Sequence, residues 1–381
     1  MKKLLYVYFV LLAWSCKQRF EPPVAAPKNG YLVIDGVINS GVGPTSFRIS
    51  RAIGLSDTSL VKYERNAVVR VEGENNSNYP LSETGAGVYS SPQLNLNSNV
   101  KYRLYIRTTE GKEYTSDFAT PIKTPAIDNI RWEQPNDLQL FINTHDPQNN
   151  TRYYRWDWEE TWEFHSAYTT TLKYVKNSRG EATGIDYLYP DRNHDTTNYI
   201  CWRTEASTNL LFGSSIKLSQ DSIDLPIHKV LQRSEKITVL YSLLVKQYAV
   251  SKKGYEFLQR MKKNTEQTGT LFDAQPSELV GNVHSKSDPN EIIIGFVEAA
   301  DKQEKRIFIR PSELKQWGFR SPCQETTVQN HPDSILANSY LQPTNVAEYT
   351  GMGAIKSFYA ADPICVLCTM RGVHLKPPFW P

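Results

Sequence analysis

What this chain of 381 residues lacks narrows its class first. The apolar run "LLYVYFVLLA" at residues 4–13 is too short for a membrane-spanning helix, and no other run approaches the ~18 residues one needs. Neither charge is in large excess, with 43 Lys and Arg against 40 Asp and Glu, so the concentrated positive field that holds nucleic acid is missing. Histidine is scarce, 7 in all, and none falls in an HExxH spacing; no GxSxG elbow occurs either. The signatures of zinc and serine hydrolases are therefore unfilled, and no catalytic residue, metal or cofactor is expected. Internal repeats and low-complexity stretches are also absent.

What is present begins with an address. Lys2 and Lys3 precede the apolar run, and Ala13 and Ser15 are the small residues a peptidase needs upstream of its cut, so residues 1–15 read as a signal peptide. Cys16 would then open the mature chain, where bacterial lipoprotein processing attaches diacylglycerol to a thiol. Acyl chains at about 0.8 kcal/mol per buried CH2 would anchor it to a bilayer. Residues 16–29, which include "KQRFEPPVAAP", have no periodicity and several prolines, as a lipidated tether does. Losing residues 1–15 removes two lysines and leaves 41 basic against 40 acidic side chains, a net charge of +1.

Taking Cys16 as lipidated leaves Cys201, Cys323, Cys365 and Cys368, an even number that reads as two disulfides in an oxidising, exported compartment. A bridge inside "CVLC" would close a strained small ring, so Cys365 and Cys368 are expected to reach separately to Cys201 and Cys323. A zinc site using all four is the alternative, because CxxC is half of its usual signature; a second CxxC is missing.

From Tyr31 the chain alternates with period 2. "VKYRLYIRT" puts Val100, Tyr102, Leu104 and Ile106 on one face and Lys101, Arg103 and Arg107 on the other; "NAVVRVEG" turns Ala67, Val69 and Val71 inward. With "YLVIDGVI", "SFRIS" and a closing "GKEYTSDF", this predicts an immunoglobulin-like β-sandwich over residues 30–125, ended by "TPIKTPAID". A second β-rich, sandwich-like domain is expected over 126–320, making the protein mainly β. In it, residues 166–200 read as a long loop or an inserted hairpin and "KITVLYSLLVKQYAV" as a central strand. One helix is expected at about 252–267, capped by Ser251 and stopped by Gly269, followed by a hairpin of "EIIIGFVEAA" and "KRIFIRP". Residues 321–381 read as a disulfide-tied tail rich in proline and packed on the second domain.

Two stretches could carry function. In "YYRWDWEETWEF", Tyr154, Trp156, Trp158, Trp162 and Phe164 share one face with Glu160 among them, and Arg155, Asp157, Glu159 and Glu163 share the other. Trp156, Trp158, Glu160 and Trp162 could bind a sugar or peptide in a groove. Core packing is the competing and favoured reading, with a bulge able to turn Glu160 outward. In "GTLFDAQPSELVGNVHS", Asp273, Gln275 and Asn282 could dock a partner or, as favoured, bond backbone groups of an irregular loop. His145, His194 and His331 lie in turn-like contexts, and "DRNHDTTN" starts like a calcium loop without the Gly and Glu that complete one.

These motifs, in order, resemble a Bacteroidetes lipoprotein family known only as domain of unknown function 4249. The resemblance rests on Cys16, "YLVIDGVI", "GKEYTSD", "YYRWDWEETWEF", the pair Cys201 and Trp202, residues 241–284, and the ending "CVLCTMRGVHLKPPFW". It implies an outer-membrane lipoprotein acting beside a TonB-dependent transporter in nutrient uptake, as an accessory or ligand-capturing partner. It supplies no catalytic residues, and the small-molecule, peptide or glycan ligand stays open, as does the choice between cell surface and periplasmic face. An envelope hydrolase and a structural or adhesive envelope protein are the alternative functions.

Overall fold

The structure, a computed structural model, describes residues 30–52, 61–191, 196–266 and 279–381. The expected signal peptide and tether, with Cys16, lie outside these residues, as do His194, Gly269, Asp273 and Gln275. The protein is mainly β, and among the described residues no helix is long and apolar enough to cross a membrane.

The first lobe is one continuous sheet that folds over a single core. Leu32–Asn39 pairs with Thr45–Arg51, which continues to Val88–Ser91 and Asn78–Gly85; Val68–Gly73 then joins these to Tyr102–Arg107 and Glu113–Ser116. The expected alternation holds: Val69, Val71, Tyr102, Leu104 and Ile106 are buried in one cluster with Leu32, Ile34 and Phe47.

Three later segments complete this lobe, which corrects the expected hairpin after the helix. Ile293–Ile294 and Ala299–Ala300 run parallel to Leu32–Asn39, and Val283–Ser285 lies outside Glu113–Ser116, which is therefore not the closing strand. The physical reason is burial. Val283, Ile293, Val297 and Ala299 fill the first lobe's core, whereas Gln303–Ile309 pairs with Leu240–Ala249 in the second. A division at residue 125 thus does not separate two independent units.

The second lobe packs two sheets face to face. Tyr153–His165 lies between Ile200–Ala206 and the central Leu240–Ala249, and Leu211–Ser214 shares its edge. The opposing sheet is Asp221–Val230, Leu138–Asp146 and Ile127–Glu133. Alternate residues of both supply the core, among them Leu140, Ile142, Trp156, Trp162, Tyr241 and Leu243. The helix Lys252–Glu266 starts where expected, with the Ser251 hydroxyl accepting the Gly254 N–H at 3.0 Å.

Residues 321–381 are more than a tail. Glu325–Gln329, Ile355–Ala361 and Gln342–Tyr349 form a sheet, and with the hairpin Leu172–Lys176 and Ala182–Tyr187 they bury Leu172, Val328, Ile335 and Phe358 in a third small core. Proline content misleads here because Pro343 sits in an edge strand, where a missing N–H is tolerated. The disulfide Cys201–Cys368 ties this layer to the second lobe and Cys323–Cys365 closes within the layer, so the two cysteines of "CVLC" do reach apart and none of these four thiolates is left for zinc.

Candidate functional site

Tyr153–His165 is the element from which the site is built, because its two faces meet different neighbours. On the inward face Trp156, Trp158 and Trp162 are at most 5% exposed and belong to the core. The Trp156 indole donates to Gln247 Oε1 at 2.7 Å. Pairing with both flanking strands runs unshifted through Glu160, so no bulge turns it outward. Its carboxylate takes Lys236 Nζ at 2.5 Å, His228 Nε2 at 3.1 Å and the Tyr241 hydroxyl at 3.1 Å. Burial alone would raise its pKa, but the hydrogen bonds from His228 and Lys236 outweigh burial and hold the carboxyl below the usual range. Trp156 and Glu160 are thus committed to internal partners, and Trp162 to the core. A ligand groove lined by that face is not where the structure puts them, and Trp158 alone also borders the cleft described next.

The outward face carries Arg155, Asp157 and Glu159, and the register sets Tyr248 beside Arg155 and Lys246 beside Asp157. Its far end is closed, since the Trp380 indole donates to Glu163 at 3.0 Å and packs edge-on against Phe308. The near end instead faces the outer side of Leu32–Asn39 across a cleft of about 1070 Å³ between the lobes. Arg155 spans it: Nη2 donates to Asp35 Oδ1 at 3.0 Å, and Nε to Asp157 Oδ1 at 3.3 Å. Burial opposes the charge on Arg155, but Asp157 and Asp35 outweigh it and raise the guanidinium pKa. Burial raises Asp157, and Arg155 offsets this only in part. Lys246 pairs with Glu159, and Lys302 with Glu304 at 2.6 Å.

The helix and the returning segment close the other wall. Leu210, Leu211, Met261, Ile294 and Phe296 border the cleft and are only partly buried. Beside them Glu298, 6% exposed, accepts the Ser251 N–H at 2.9 Å at the start of the helix. A Cβ on Gly254 would stand 2.5 Å from the Glu298 carboxylate, so glycine is what lets that carboxylate approach. Burial pushes Glu298 up to about 7.

The remaining expected residues fall elsewhere. Asn282 is buried and clamps the returning segment: its Nδ2 donates to the Val297 carbonyl at 2.8 Å, and its Oδ1 accepts the Val297 N–H at 2.7 Å. It holds an irregular backbone and presents no docking surface. Its loop partners Asp273 and Gln275 lie outside the described residues. His145 bonds Asp128 at 2.7 Å, and that contact raises its pKa. No group of three or more His, Cys, Asp or Glu able to hold a metal occurs among the described residues. Asp35, Lys246, Tyr248 and Glu298 were not singled out by sequence. The available signal was the row of alternating charges Arg155, Asp157 and Glu159 beside a strand that is otherwise apolar.

Fold and cleft together define a mainly β, lobed protein with a solvent-open cleft between its lobes. Residues 17–306 match the family described as a domain of unknown function (DUF4249), and the chain belongs to it. The match stops short of the ending motif. No curated protein matches the chain. Among solved structures it is similar to a chain of "Cytokine receptor complex - Crystal form 2", at 9% identity over 57% of this chain and 90% of that one. The TM-score of 0.19 carries no argument.

Proposed function

We propose that the protein is a non-enzymatic, ligand-capturing lipoprotein of the outer membrane, working beside a TonB-dependent transporter in nutrient uptake. One observation carries the capture role: a cleft of about 1070 Å³ whose walls come from both lobes and whose charged side chains face it. Such a volume lies just above the range of about 300–1,000 Å³ usual for ligand pockets. The anchor at Cys16 rests on the signal-peptide pattern before it, and the outer membrane and transporter partner rest on the family resemblance. Purification of the lipidated full-length protein in mild detergent tests them: a transporter should copurify, and its repeated absence would count against the partnership. A Cys16→Ser variant should leave the membrane fraction.

A hydrolytic reading has one observation in its favour, the carboxyl of Glu298 held near neutrality in the cleft wall. Against it, both oxygens of Glu298 are turned to the Ser251 N–H, at 2.9 and 3.2 Å. That geometry suits capping of the helix better than proton transfer to a substrate.

A further inference from the structure

The cleft is lined by charges of both signs, five basic side chains against four acidic ones, and most of them are paired. Arg155 holds Asp35 and Asp157, Lys246 holds Glu159, Lys302 holds Glu304, and Arg48 stands opposite Asp35 in the strand register. A polyanion or polycation entering here meets no matching field, whereas a ligand that carries both donors and acceptors can exchange with these pairs one for one. The pair most open to exchange is Arg155 with Asp35. It joins the two lobes through a single 3.0 Å bond, and the Asp35 side chain is 59% exposed. Water can solvate the exposed Asp35 carboxylate once it is released, while a ligand carboxylate would keep the buried Arg155 guanidinium paired, so the exchange is cheap.

The other wall decides between ligand classes that share this polarity. Leu210, Leu211, Met261 and Ile294 are aliphatic, while of the rings that also border the cleft Phe296 is packed against Phe257 at 5.6 Å, Trp158 is tilted against His228 at 5.3 Å, and Tyr248 is half-buried beside Arg155. Sugar rings stack on flat, free aromatic faces, while branched and thioether side chains suit the side chains of a peptide. The cleft volume also exceeds what a single amino acid would fill.

We infer that the interlobe cleft takes a short peptide with a free carboxyl end, its terminal carboxylate replacing Asp35 on Arg155 and an apolar side chain lying against Met261 and Leu211. The inference rests on the capture reading above. Backbone N–H groups of the peptide answer the Asp35 carboxylate that Arg155 releases.

The test is a calorimetric titration of the lipidated full-length protein in detergent with a random hexapeptide pool, free or amidated at its carboxyl ends, and with maltohexaose in parallel. Saturable binding of the free pool is expected, at least tenfold weaker for the amidated pool and for the variant Arg155→Met, and severalfold tighter for Asp35→Asn, whose carboxylate no longer competes for Arg155. Asp35 is exposed enough that its variant folds even if Arg155→Met does not, and circular dichroism checks both. Binding of maltohexaose in an Arg155-dependent way, with no binding of peptides, overturns the peptide assignment and leaves the cleft as the capture site. Peptide binding that ignores both variants also overturns it, since the site then lies elsewhere. If neither probe binds, the peptide assignment falls and the capture reading loses its main support.

Discussion

Tyr153–His165 has an inward and an outward face of similar length, and they differ in how far their polar groups are satisfied. Inward, Glu160 has three partners and the three tryptophans fill a core. Outward, one guanidinium serves two carboxylates, and the space above it is a cleft and not protein. A buried polar group without spare partners stabilises the fold and is unavailable to a ligand. A polar group whose partner is exposed and shared can trade it. The unusual aromatic composition of the strand therefore marks its structural face, and the ordinary-looking charges mark the one open to binding.

The comparison can be broken first at its inward side. Trp156→Ala empties a fully buried site and strands Gln247, and should cost about 3–5 kcal/mol in denaturant unfolding. A loss under about 1 kcal/mol would mean that this face is not core.

Glu298 sharpens the outward side through pH. Its folded pKa of about 7 stands above the ordinary carboxylate value, so its contribution is fully present below about pH 4.3. That contribution is lost as pH rises towards 7, because the unfolded chain ionises the group while the folded protein resists doing so. Glu298→Gln should flatten this decline, an effect of about 3 kcal/mol between pH 4.5 and 8 in the thermal unfolding profile. An unchanged slope would show that Glu298 is ionised in the folded wall. Gly254→Ala, which forces the carboxylate away from the helix, should change the same slope.

A smaller effect is expected at Lys236. Lys236→Met removes one of the partners of Glu160 and should cost about 1–3 kcal/mol near pH 7. Because Glu160 is held below the usual range, its stabilisation exists above the unfolded pKa and fades as pH falls through the folded one. The cost of Lys236→Met should therefore shrink in acid, and a cost independent of pH would contradict the pairing. Least affected should be Asp35→Asn, within about 1 kcal/mol of the parent in stability, since Asp35 itself is exposed and Asp157 still holds Arg155.

Much of the fold was legible because strand alternation is local. Tyr102, Leu104 and Ile106 announce their face within seven residues, Ser251 announces the helix start, and the four cysteines that follow Cys16 announce two bridges. The parallel pairing of Leu32 and Val33 with Ile293 and Ile294 was not legible, since nothing near either segment names a partner some 260 residues away. The same holds for the third core, where Leu172 meets Phe358. The site failed for a related reason: alternation tells which face of Tyr153–His165 is polar, but not whether water or another lobe lies above it. Arg155 is bonded to Asp35 across 120 positions of sequence, and only the assembled lobes reveal the cleft between them.

The most direct test sets the two faces against each other in one experiment, by titrating the free-carboxyl hexapeptide pool into Asp157→Asn and Trp162→Phe. Trp162 suits the comparison because its buried indole N–H has no hydrogen-bond partner to lose. The expected result is at least a tenfold loss of affinity in Asp157→Asn and a change under twofold in Trp162→Phe. Retained affinity in Asp157→Asn with a tenfold loss in a fully folded Trp162→Phe would place binding on the inward face and contradict the account.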